Sequence, residues 1–228
     1  MSVSPIAFAR FGAVASAWMS LCVGVSSAAE FTAAGYSFSD ELGGFRLLSA
    51  SGSGKPEDPV IITEEILDVA PVTLVIRNLN LVEGRPLQAQ LTLEKRVTNR
   101  SVRVWGAFEM ELQEIKGKPS VYSDGLSFKQ FAASDDDVSS DSFAQNERDF
   151  EPYDRIQFLQ GHVDPDATAA FKVTITDATP VPEFYLVQDP KLLSASLPMA
   201  HRDFAALERR SGVDHDADEV RTPAGGKY

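Results

Sequence analysis

The 228-residue chain has one cysteine, three histidines and two tryptophans, and its 21 basic residues are outnumbered by 33 acidic ones. A single thiol cannot form an internal disulfide, so stability must come from burial of apolar surface. The basic deficit, a net charge of -12, argues against nucleic acid, whose phosphates require clustered Lys and Arg. It disfavours an anionic membrane surface for the same reason. No apolar run reaches the roughly 20 residues of a membrane span. No Walker loop is present either: Gly54-Lys55 is followed by Pro56 where Ser or Thr would bind the metal. The three histidines, His162, His201 and His215, accompany no nucleophile-elbow motif, and a Ser-His-Asp triad has no sequence support.

The N-terminus does carry a signal. Arg10 ends a short lead, and Phe11 to Val25 is an uncharged run of about fifteen residues, short of a span. Ser26, Ser27, Ala28 and Ala29 then supply small residues. This order of segments predicts a secretory signal peptide over residues 1–29, cleaved after Ala28 or Ala29. The rival readings are an uncleaved anchor and a lipoprotein. The second is opposed by Leu21, a large residue immediately before Cys22. Cleavage would remove Cys22 and Arg10, leaving 20 basic residues against 33 acidic ones, a net charge of -13. The expected product is a disulfide-free protein of the periplasm or the extracellular space, with no membrane span.

The hydrophobic share, 43%, is that of a folded globular chain. Leu87 to Leu112 is its organising stretch: two alternating runs around a polar Thr98-Asn99-Arg100-Ser101 turn. Leu91, Leu93 and Val97 share one face of the first run, with Lys95 interrupting it. Val104, Phe108, Met110 and Leu112 share one face of the second; Trp105, Ala107, Glu109 and Glu111 share the other. Period-two alternation marks strands with one packed face. Further strands are expected at Tyr36–Leu48, Val60–Ile66, Val72–Asn78, near Leu126, Ile156–Leu159, Phe171–Thr176 and Phe184–Val187. The Gly/Ser/Pro segment Ser49–Pro59 and the acidic, Ser-rich Ala132–Asp154 read as loops. About eight strands with little helix predict an all-β, antiparallel two-sheet sandwich, immunoglobulin-like or jelly-roll-like, over residues 30–189. Residues 190–228 read as a flexible tail, with a short helix at Asp203–Arg210.

Asn99, Trp105, Phe108 and Leu112, followed by Asp124-Gly125-Leu126-Ser127-Phe128, resemble a pattern in secreted bacterial β-sandwich proteins. There, an Asn-bearing turn precedes a strand with a Trp and a spaced Phe and Leu. The resemblance spans Val97 to Ile175, implies an exported sandwich and brings no catalytic residue with it. Some such proteins end in a Val-Pro-Glu-Pro sorting signal, whereas here Val181-Pro182-Glu183 is followed by Phe184.

Three functions are open. The first is a non-enzymatic binding or structural module with a protein or glycan partner. The second is a calcium-dependent carbohydrate-binding module. Asp135, Asp136, Asp137 and Asp141 would supply hard oxygen ligands, although their spacing is not that of an EF-hand. Calcium is the only cofactor the sequence suggests. Trp105, Tyr122, Tyr153 and Tyr185 are candidate stacking platforms, and Trp105 would stand beside Glu109 and Glu111 in a ligand-binding face. The third is a hydrolase with those two glutamates, at i and i+2 on one strand face, as its carboxylate pair. Glu94, Lys95 and Arg96 would be their strand neighbours if the two runs formed a hairpin. His162-x-Asp164-x-Asp166 reads as an ordinary turn around Pro165, and Asn99-Arg100-Ser101, though a glycosylation sequon, also reads as a turn.

Overall fold

A computed structural model describes residues 28–81, 89–129, 137–148 and 150–193. Residues 1–27 of the predicted signal peptide, Asp135, Asp136, His201, His215 and the tail helix lie outside them. The described residues are all-β: two antiparallel-rich sheets packed face to face, built from thirteen strands.

Most of the expected strands are present. β4 (Val60–Ile66) and β5 (Val72–Asn78) have the predicted bounds, and β6 (Ala89–Asn99) and β7 (Trp105–Gln113) are the two organising runs. β8 (Leu126–Phe128), β11 (Arg155–Gly161), β12 (Thr168–Asp177) and β13 (Glu183–Leu192) complete the expected set. The four strands beyond the nine expected segments have two sources. The single strand expected at Tyr36–Leu48 is two, β2 (Tyr36–Ser39) and β3 (Phe45–Ser51), preceded by β1 (Glu30–Ala33). The acidic loop also holds two short strands, β9 (Val138–Ser140) and β10 (Phe143–Glu147).

One sheet runs β1-β2-β5-β13-β7-β11-β10; the other runs β3-β4-β6-β12-β8, with β9 also pairing β12. The two organising runs are therefore not a hairpin. β6 lies in one sheet and β7 in the other, and residues 100–104 arch between them. Asn99, fully buried, braces the arch. Its Nδ2 donates to the carbonyls of Arg103 at 2.8 Å and Val163 at 3.1 Å, and its Oδ1 accepts from the Ser101 amide at 3.0 Å and hydroxyl at 2.7 Å. The sequon is thus a structural corner whose carboxamide is enclosed. Asn99→Ala strips the corner of these bonds and is expected to cost about 2–3 kcal/mol, read as a lower urea midpoint at unchanged m-value.

Two further departures have local causes. Trp105 was expected opposite Phe108. Between Trp105 and Ala107, β7 advances two residues while β13 advances one, from Leu192 to Lys191. This bulge shifts the alternation, and Trp105 turns into the core, with its ring centroid 5.6 Å from that of Phe108. β13 runs to Leu192, beyond the boundary expected at residue 189, and takes Pro190 within it. β5 pairs β13 only as far as Gln188, so at Pro190 just one flank of the strand is paired, by β7. A proline is tolerated at such a place.

The core lies between the sheets. Phe171 of β12 stacks on Phe108 of β7 at 4.6 Å, and on Phe143 at 5.9 Å, with Phe158 edge-on at 4.9 Å. Val60, Ile62 and Ile66 of β4, Leu91, Leu93 and Val97 of β6, and Phe184 and Leu186 of β13 are buried with them.

Candidate functional site

Glu109 and Glu111 project from the outer face of β7, as their alternation with Met110 and Leu112 requires. The strands flanking β7 are β11 and β13, and the register sets Gln157 and Arg155 beside the two glutamates on one side and Asp189 and Val187 on the other. Their neighbours are therefore not Glu94, Lys95 and Arg96, which belong to the opposite sheet. Arg155 is the centre of the cluster. Its guanidinium donates to Glu111 Oε2 from Nε at 3.1 Å and from Nη2 at close range, and Nε lies 3.5 Å from Glu109 Oε1. Gln113 Nε2 donates to Glu111 Oε1 at 2.8 Å. Lys191 Nζ is 3.7 Å from Glu109 and in close contact with Asp189. Burial pulls Arg155 down, but Glu111, Glu109 and Asp189 outweigh it and hold the guanidinium above its ordinary value.

Pro71, Glu109, Glu111, Arg155, Val187 and Asp189 line a shallow depression of about 220 Å³ there. Glycoside hydrolysis needs one carboxyl kept as an acid and the other as a base or nucleophile. Here Glu111 is hydrogen-bonded by Arg155 and Gln113, and Glu109 lies 3.5 Å from the same guanidinium and 3.7 Å from Lys191, so each carboxylate faces a cation. Three acids and two cations, with exposed polar edges, make instead a preorganised charged strip suited to contact with a polar partner.

The other candidates are dispersed. Trp105 is fully buried and offers no platform. Tyr185 donates its hydroxyl to Glu183 at close range, while Tyr153 is exposed. Asp137 is nearly buried, ion-paired to Lys129 Nζ at 3.2 Å, and accepts from Thr174 Oγ1 at 3.4 Å. Asp141 Oδ1 accepts from the Ala170 amide and the Ser142 hydroxyl, each at 2.8 Å. Both are thus engaged in holding the β9 region against β12. Among the described residues no group of three or more His, Cys, Asp or Glu could hold a metal ion. Asp135 and Asp136 lie outside the described residues, so calcium is tested directly: a thermal midpoint that rises with calcium concentration would show a site in this loop. His162 is exposed, 3.8 Å from Asp164, and Asp166 pairs with Arg100 at 2.6 Å, as a surface turn would have it.

Two buried features escaped the sequence reading of chemistry. One is the Lys95–Glu64 pair inside the core. The other is Asp154, fully buried between β8 and β11, neither of whose carboxyl oxygens has hydrogen-bond geometry to a described residue. The Ser127 hydroxyl lies near enough to favour the charged form, but it donates to the Phe128 carbonyl at 2.7 Å. Desolvation dominates and raises the carboxyl to about 6, with Asp124 adding to the rise. Comparison of the chain with family models, with curated proteins and with solved structures finds no match, so its function is read from its own residues.

Proposed function

We propose that the chain is an exported, non-enzymatic β-sandwich module that binds a protein or glycan partner, or serves a structural role, in the periplasm or outside the cell. The observation that carries the reading is the commitment of Glu109 and Glu111 to Arg155. The outer-face carboxylates best placed for chemistry are held in a shallow charged strip, which favours contact over turnover. Export is supported by the order of the first 29 residues: a basic lead, an apolar run and a small-residue site. A sandwich whose only cysteine precedes that site suits such a compartment, because its core needs no disulfide.

The experiment is fractionation of cells expressing the full chain, with N-terminal sequencing of the product. A mature terminus at Ala29 or Glu30 in the periplasm or medium is expected. A full-length product in the cytoplasm removes the export half. The non-enzymatic half is checked by assaying the mature protein on a panel of glycosides and esters. Turnover that disappears in Glu111→Gln would make it a hydrolase.

A further inference from the structure

The interior of a sandwich is the least favourable place for charge, yet Glu64 of β4 and Lys95 of β6 both point into it and neither side chain has any exposed surface. Lys95 Nζ lies 3.0 Å from each oxygen of the Glu64 carboxylate. It donates a hydrogen bond to Oε2, whereas Oε1 has no hydrogen-bond partner. Equal approach to both oxygens, with a hydrogen bond to one, sets Nζ roughly 3.4 Å from the carboxyl carbon, within the range of a near-attack separation once the carboxyl group rotates to present its face. Burial pulls the Lys95 ammonium below its ordinary value, with the charge and hydrogen bond of Glu64 opposing. The neutral, nucleophilic amine is thereby brought within reach.

The surroundings favour reaction over a lasting ion pair. Two desolvated charges are costly even when paired, and a neutral amide removes both. β4 and β6 are the parallel pair of their sheet, a pairing slightly weaker per residue than an antiparallel one. With one cysteine in the chain, no internal disulfide can tie it. A third polar group faces this region. Phe171, beside Lys95 in register, stacks on Phe108, which is beside Pro190. Two residues along the same face of β13 is Gln188, fully buried, with no hydrogen-bond partner for either side-chain polar atom.

We propose that Lys95 and Glu64 condense into an intramolecular amide that covalently joins β4 to β6. A proton passes from the ammonium to the carboxylate. The free amine attacks the carboxyl carbon, the C–N bond forms, the C–OH bond breaks, and the leaving hydroxyl takes a second proton from nitrogen and departs as water. Nothing is oxidised or reduced and no co-reactant is consumed. Gln188, buried on the facing sheet with its carboxamide uncommitted, would be the donor to the charge developing on the carboxyl oxygen.

The test is the intact mass of the purified, folded chain measured under denaturing conditions, followed by proteolysis and fragmentation. The expected result is a deficit of one water, no tryptic cleavage at Lys95, and a branched peptide joining the segments around residues 64 and 95. Lys95→Met should restore the full sequence mass. Should that variant fail to fold, the branched peptide of the unmodified sequence decides alone. Full sequence mass with two separate linear peptides overturns the proposal. So does a deficit of one ammonia, which would make an amide such as Gln188 the acceptor. So does a water deficit that persists in Lys95→Met, as cyclisation of a terminal glutamate would produce.

Discussion

Phe171→Ala is expected to destabilise the sandwich by about 3–5 kcal/mol, a large share of the roughly 5–15 kcal/mol that holds a domain of this size folded. Phe171 is fully buried and has three aromatic neighbours, all from strands of the opposite sheet: Phe108 of β7, Phe158 of β11 and Phe143 of β10. Removing its ring takes away apolar burial and leaves a cavity between the sheets. Its rigid strand backbone cannot collapse to fill that cavity. The edge and face contacts to three rings are lost as well, each worth about 0.5–1.5 kcal/mol beyond area burial. Urea denaturation at fixed pH should show a much lower midpoint with the same m-value. Phe171→Leu keeps most of the volume and should cost appreciably less, about 1–2 kcal/mol. A loss below about 1 kcal/mol for the alanine variant would mean that the two sheets do not meet through this residue.

The contrast between strands that were legible and those that were not follows from what periodicity encodes. β4 and β5 could be bounded from sequence because β-branched runs end at punctuation: Asp58-Pro59 before β4, and Ala70-Pro71 between the two. Pairing partners are another matter. Leu91, Leu93 and Val97 face a core whether β6 pairs β7 in a hairpin or lies in the opposite sheet, since both give the same alternation. What distinguishes an arch from a hairpin turn is the pairing itself, β6 with β4 and β12 and β7 with β11 and β13, and that needs three-dimensional information. The side of Trp105 was lost for a related reason. A bulge adds one residue without changing composition, so a strict period assigns the wrong face beyond it.

The candidate site was half legible. Glu109 and Glu111 sit on one outer face as i and i+2 residues must. Their partner Arg155 is more than 40 residues away in sequence, at a register only the folded sheet defines. β9 and β10 were hidden in a segment whose polarity suggested a loop. They are short, and Val138 and Phe143 are their buried apolar anchors. The interruption of the β6 apolar face by Lys95 was visible in the sequence. So was Glu64, which falls on the same face of β4 as Ile62 and Ile66. A lysine and a glutamate each breaking an apolar face in different strands is a pattern worth pairing before any coordinates exist.

Asp154 gives the second large effect, and its sign is opposite to that of a salt-bridged carboxylate. Its folded-state value, about 6, lies above the ordinary aspartate value near 3.8 that applies in the unfolded chain. Below both values the carboxyl is protonated in either state and contributes no difference. As pH rises from about 4 to 6 the unfolded chain releases this proton while the folded chain retains it, so stability falls. Above about 6 the full cost is present, on the order of 2–3 kcal/mol for a shift of this size. Asp177 and Glu114, both raised chiefly by desolvation, act in the same direction. Glu41, lowered by its bond to Arg77, acts in the opposite sense and in a lower window, losing its contribution as pH falls through its depressed value. Asp154→Asn isolates the single group, because it removes the ionisation and changes little else in shape. Urea melts at pH 4 and pH 8 are expected to show the two proteins close together at the acid end and the variant more stable at the alkaline end. The gap between the two curves should open across pH 4–6. A variant that is less stable at pH 8 would mean that the carboxylate is held by polar partners in the folded chain, and that desolvation is not what governs it.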